Sequence, residues 1–112
     1  MPSVPPPTEE LAELAAVLGD ENVRMLVRTF LRDFPTSLRD LSTADRKNRH
    51  RIAHSLKSNS RLMGAHELSR RMAEIEARLS TADGADVAAE ELTAISNDFA
   101  AVEKPLKLFA ET

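Results

Sequence analysis

The sequence has no cysteine, no tryptophan and no tyrosine. Without cysteine there are no disulfides and no thiolate metal sites. The only aromatics are four phenylalanines, all at core-type spacings, so a nucleic-acid binder's stacking platform is missing. No apolar run approaches the ~20 residues that span a bilayer. The opening MPSVPPP has neither a basic n-region nor an apolar h-region, so it does not read as a secretory signal. A cytoplasmic protein without a membrane partner is the expectation. With only three glycines there is no Gly-rich phosphate loop. No segment alternates as a strand would, and no internal repeat is evident.

At 112 residues the chain reads as one small domain. The Pro-rich residues 1–7 are expected to form a flexible tail, and residues 8–112 the folded domain. The initial Met and this opening favour a free-standing protein, and a monomer is expected. The net charge of −3 argues mildly against nucleic acid as a partner. Its distribution says more. Arg46, Lys47, Arg49, Arg51, Lys57 and Arg61 fall together, while acids dominate both ends. A basic patch on an acidic protein suggests an acidic partner surface or a phosphoryl group. The plainer alternative is a solvated helix face.

Apolar spacing predicts several helices. Thr8 is placed to cap a short first helix carrying Leu11, Leu14, Ala15 and Leu18. Gly19-Asp20 breaks it, with Asp20 a second N-cap candidate. From Asp20 to about Ala44, Val23, Leu26, Val27, Phe30, Leu31, Phe34, Leu38 and Leu41 keep helical spacing on one face. Pro35 is expected to kink or split this helix. A third helix is predicted from about Lys47 to Met63, stopping at Gly64. A fourth carries Leu68, Met72, Ile75 and Leu79. The last carries Ala88, Leu92, Ile95, Phe99, Val102, Leu106 and Phe109, and Pro105 should bend or end it near Val102. Met25, Met63 and Met72 are expected in the core or at its rim. The fold class is therefore all-α: an antiparallel four-helix bundle with an additional short N-terminal helix.

On the third helix, at about 100° per residue, Ile52, Leu56 and Met63 share one direction, the predicted core face. His54 falls roughly opposite. Its neighbours on that face are His50, Arg51, Lys57, Ser58 and Arg61. Packing requires no histidine there. Neutral imidazole is a nucleophile near pH 7, and the surrounding cations disfavour a charged ring. They would also stabilise negative charge arriving on a phosphoryl group. Ser58 is small and one turn away, leaving room for a protein to approach. Gly64 permits a sharp turn and close backbone packing. Asn59 lies near the predicted buried side and should find a hydrogen-bond partner there.

The stretch AHSLKSNSRLMGAHEL resembles the signature of the histidine-phosphotransfer (HPt) domain, A-H-x-L-K-[GS]-x-[SA]-x-x-[LM]-G-A-x-x-L. The matching residues are Ala53, His54, Leu56, Lys57, Ser58, Ser60, Met63, Gly64, Ala65 and Leu68. The family's following Leu-Glu pair appears as Ile75-Glu76, and FLRDFPTSLRDL resembles its second helix. Arg61 departs from the small residue common at its position. It adds positive charge and narrows which partners fit.

The resemblance implies a phosphotransfer protein in a two-component phosphorelay, without an ATP site or kinase activity of its own. His54 would accept a phosphoryl group from a receiver-domain aspartate and pass it to another receiver. Lys57 would orient and neutralise that group. His50, Arg51, Ser58, Arg61 and Gly64 are the candidate docking residues. The implied partners are response-regulator receiver domains and a hybrid histidine kinase. No cofactor is expected on the chain itself; Mg²⁺ is expected on the partner receiver.

Three rival readings stand beside it. His50 and His54, four apart, have a spacing that can hold zinc, but no Glu lies between them and the nearby cations oppose a metal. A basic helix can bind nucleic acid, against the acidic sum and the scarce aromatics. A docking module that binds receivers or kinases without transfer would keep the fold but has no need of both His54 and Lys57. The bland reading of His50 and His66 is surface residues.

Overall fold

Thr8 sets the start of the first helix. Its extended backbone leaves the helical path, and its hydroxyl accepts from the Leu11 amide, one of the donors a helix start leaves open. The same hydroxyl donates to the Met63 carbonyl, so this cap also ties the helix to the end of a distant one. In this computed structural model, which describes residues 4–112, five helices follow: α1 Glu9–Leu18, α2 Asp20–Thr43, α3 Arg46–Leu62, α4 His66–Leu79 and α5 Ala89–Ala110. Residues 1–3 of the expected tail lie outside the described residues. Val4, also in that stretch, packs against the core.

Gly19 ends α1 and begins α2 with a φ of 86°, a left-handed value that glycine adopts without the usual penalty. One residue serves both helices, so Asp20 is not the cap expected of it. It is the first helical residue, and α2 has no side-chain cap. Neither proline ends its helix. The helix α2 continues through Pro35 to Thr43, and α5 through Pro105 to Ala110. An internal proline forfeits a hydrogen bond and crowds the preceding turn. Here large side chains are buried on both sides of each proline: Phe34 and Leu41 on α2, Phe99, Leu106 and Phe109 on α5. Each contributes roughly 1.5–3 kcal/mol of burial, enough for tertiary packing to override the local preference.

The helices α2 to α5 form a closed antiparallel ring, α2 against α3, α3 against α4, α4 against α5 and α5 back against α2, and α1 lies on α2. The bundle is therefore the predicted one. All four phenylalanines are buried, and Phe34 and Phe99 stack with centroids 4.3 Å apart across the α2–α5 seam. Met63 and Met72 are buried, but Met25 is 55% exposed and belongs to the surface.

The most extensive seam is between α3 and α4, and it turns α3 away from its predicted orientation. The buried residues are Ala53, Leu56, Ser60 and Met63, with Ile52 only partly covered. Asn59, expected near the core, is exposed. The large apolar residues suggested a core direction through Ile52. The small residues Ala53 and Ser60 mark the side where a helix comes close, and hydrophobicity alone does not weigh them.

Candidate functional site

The basic run is divided by the fold into two groups with different work. Arg46 donates to the carbonyls of Arg78, Thr81 and Gly84, which closes the end of α4 and the turn after it. Arg49 donates to the Ala44 carbonyl and to Asp86 at 2.5 Å. Both are framework residues holding the segment 80–88. Arg51, Lys57 and Arg61 remain on the His54 side of α3.

His54 is on the third turn of α3, with 59% of its side chain exposed. The reason is angular: it lies opposite the middle of the Leu56–Met63 side, so no neighbouring helix covers it. On one flank stands α4. Ser69 donates to the Lys57 carbonyl, pinning the two helices together at this level. About two turns further along α4 comes Glu76, whose side chain is only 16% exposed. Its Oε2 meets His54 Nδ1, and its Oε1 accepts from Lys57 Nζ at 2.6 Å. One carboxylate thus holds both of the residues implicated by the sequence.

The Lys57 hydrogen bond holds the Glu76 carboxyl below its ordinary range; partial burial opposes this, and the His54 contact lowers it further. An ionised carboxylate only accepts hydrogen bonds, so the hydrogen belongs on Nδ1. In the neutral imidazole that assignment leaves the Nε2 lone pair free for an incoming group. The sequence reading surrounded His54 with cations alone. The fold adds a carboxylate from 22 residues away. The signal was present only as the glutamate of Ile75-Glu76, a matched position to which no task was attached.

The other candidates are spread around this centre. His50 is half-buried one turn before His54, and Arg51 is exposed. Ser58 and Arg61 are exposed, one and two turns beyond His54. Gly64 has a φ of 76°, and a Cβ there would meet Thr8 side-chain atoms at 2.5–2.8 Å. The close approach it permits is made by the chain's own α1 cap. His66 is exposed in the first turn of α4 and pairs with Glu10 at 2.8 Å, joining α1 to α4.

On the flank away from α4 the surface is apolar. Leu62, 42% exposed, borders two depressions. One, between α2 and α3, includes Leu26, Phe30 and Asn59. The other, between α1 and α3, includes Leu14 and Val17. The sequence placed Leu26 on the apolar face of the second helix and assigned no place to Leu62 or Val17. Among the described residues, no group of three or more His, Cys, Asp or Glu is placed to hold a metal ion. No described helix is long and apolar enough to cross a membrane.

A family model described as Hpt domain matches residues 25–104, a span that contains His54, Lys57 and Glu76. No curated protein and no solved structure matches the chain.

Proposed function

The chain belongs to the Hpt domain family, whose members are phosphocarrier modules of two-component signalling without kinase activity of their own, and on that footing we propose that His54 carries the phosphoryl group in a multistep relay. The observation that supports this most is the exposed imidazole whose Nδ1 is engaged by Glu76 while Nε2 is left free. Nε2 attacks the phosphorus of an aspartyl phosphate on a receiver domain. The N–P bond forms as the P–O bond to the aspartate breaks, and the carboxylate departs with that electron pair. Nε2 carried no proton, so none has to leave it. The positive charge that develops on the ring is balanced by Glu76 through the retained Nδ1 hydrogen. Passing the group to a second receiver reverses these steps.

Lys57 supplies positive charge within one turn of the ring. In the free protein its ammonium rests on Glu76 at 2.6 Å, and the arriving phosphoryl oxygens compete for it. Arg51, Ser58 and Arg61 form the docking rim, with His50 at its edge. The Gly64 turn fixes the end of that rim. The partners are receiver domains, which bring their own Mg²⁺, and a hybrid histidine kinase. The chain itself needs no cofactor and acts as a cytoplasmic monomer.

The test is phosphate acceptance from labelled receivers by wild type and His54→Gln, with circular dichroism on both. The expected result is label on wild type and none on the variant, with helicity unchanged because the position is exposed. Label retained by His54→Gln overturns the assignment. Wild type that binds receivers without taking label is a docking module instead. His50→Ala and His66→Ala should keep most of the acceptance.

A further inference from the structure

Arg61 lies within about 20° of His54 around α3 and roughly 10 Å further along its axis. It is exposed, and among the described residues it has no ion-pair or hydrogen-bond partner. The cations near it are already engaged, Lys57 by Glu76 and Arg70 by Glu67 and Glu74, and His66 is hydrogen-bonded to Glu10. Arg61 is also the ridge between two depressions. Towards α4 is a polar one of about 390 Å³ with Lys57, Ser58, Ser69 and Arg70. Towards α1 is a groove of about 500 Å³ lined by Glu10, Glu13, Leu14, Val17, Ser58 and Leu62.

This second groove has an ordered chemistry. Its floor is apolar, with Val17 81% and Leu62 42% exposed. Arg61 forms the rim on α3. Glu13, exposed and likewise without an ion-pair partner among the described residues, lies on α1. Glu10, on the same helix, is taken by His66. A segment that covers the floor dehydrates both rims. An unpaired buried charge is costly, so the covering segment must answer each rim with the opposite sign. Because the rims differ in sign, they also fix which way round the segment lies.

We propose that Arg61 determines which receiver domains this protein serves, by selecting those that present, beside their phosphorylated aspartate, a segment with an acidic residue facing Arg61, apolar side chains over Leu14, Val17 and Leu62, and a basic residue facing Glu13. The selection rests on the reading of His54 as the phosphoacceptor, since it concerns what docks beside that residue. A rim charge of this kind governs specificity and encounter more than the chemical step.

The experiment measures binding and transfer for a panel of receivers with wild type, Arg61→Glu and Glu13→Lys. For receivers with the matching acid, Arg61→Glu is expected to weaken kcat/KM by 10-fold or more. The loss should fall in KM rather than in the rate at saturation, and receivers with a base at that place should gain. Reversing the receiver's acid to arginine should restore the Arg61→Glu pair. Glu13→Lys should re-rank the panel by the charge on the opposite side. An unchanged ranking, a uniform loss across all receivers, or a loss confined to the saturating rate overturns the proposal. If wild type takes label from no receiver, the phosphoacceptor reading fails. The selectivity is then judged on the binding ranking alone, so the two failures are distinguishable.

Discussion

Glu76 on α4 meets His54 on α3 across the most extensive seam of the bundle, and the same carboxylate accepts from Lys57 at 2.6 Å. Three residues from two helices are thereby fixed as one unit. The ring's orientation depends on the α3–α4 packing as much as on α3 itself.

Glu76→Ala should therefore slow transfer while leaving the fold intact. Charge-assisted hydrogen bonds contribute about 1.5–3 kcal/mol, equivalent to roughly 10- to 100-fold if felt entirely in the transition state. Single-turnover transfer from a phosphorylated receiver is the measurement. Glu76→Gln should fall between, since its amide oxygen can still accept from Nδ1 but loses the charge facing Lys57. A wild-type rate in Glu76→Ala would mean that the carboxylate does not set the ring.

Lys57→Ala should also slow transfer, without abolishing receiver binding. Removing one donor aimed at developing charge typically costs about 10²-fold, and less is expected at a rim where 31% of the lysine remains in solvent. Rapid-quench kinetics beside a binding isotherm separate the two effects. Equal losses in both would make Lys57 a docking residue only.

Stability should respond to acid through Glu76. Its folded-state pKa lies below the ordinary 4.5. Its ionised form then stabilises the fold fully above that ordinary value, and the contribution fades as pH falls through the lower folded value. The stability gap between wild type and Glu76→Gln should hold steady near pH 5 and narrow below about 4.5. Denaturant unfolding at several acidic pH values checks this, and a gap independent of pH there would contradict it.

Ser60 is fully buried and its hydroxyl has no hydrogen-bond partner among the described residues. An unsatisfied buried hydroxyl is a liability of about 1 kcal/mol or more. Ser60→Ala should be neutral or stabilising, by up to a few degrees in Tm. A loss above about 1 kcal/mol would point to a bound water or an unrecognised partner for the hydroxyl.

Gly64→Ala should be strongly destabilising. Its φ of 76° disfavours any side chain, and the added Cβ would press on Thr8 at 2.5 Å. Thr8→Gly removes all three contacting atoms, the Cβ included, at the cost of the α1 cap side chain, worth a few tenths to about 1 kcal/mol. The double variant should recover part of the Gly64→Ala loss by thermal melting, yet remain below wild type because the backbone strain persists. No recovery would mean that the strain, rather than the clash, dominates.

The number, order and approximate ends of the helices were legible in the sequence, because each buries an apolar stripe at the helical period and is bounded by local residues such as Thr8, Gly19 and Gly64. The exposed place of His54 was legible for the same reason, being the negative of that stripe. Features that depend on how one helix meets another were not. Pro35 and Pro105 stay inside helices because packing on either side outweighs a local penalty. Asn59 is exposed instead of near the core, and Ser60 is buried, because α4 approaches the small side of α3. The two fates of the basic run, framework for Arg46 and Arg49 and rim for Arg51, Lys57 and Arg61, follow from where the turn 80–88 folds back. Glu76 reaches His54 only once α3 and α4 are docked. A carboxylate 22 residues away has no spacing rule to announce it, since helical periodicity records which face is buried and carries no information about which residue stands across the seam.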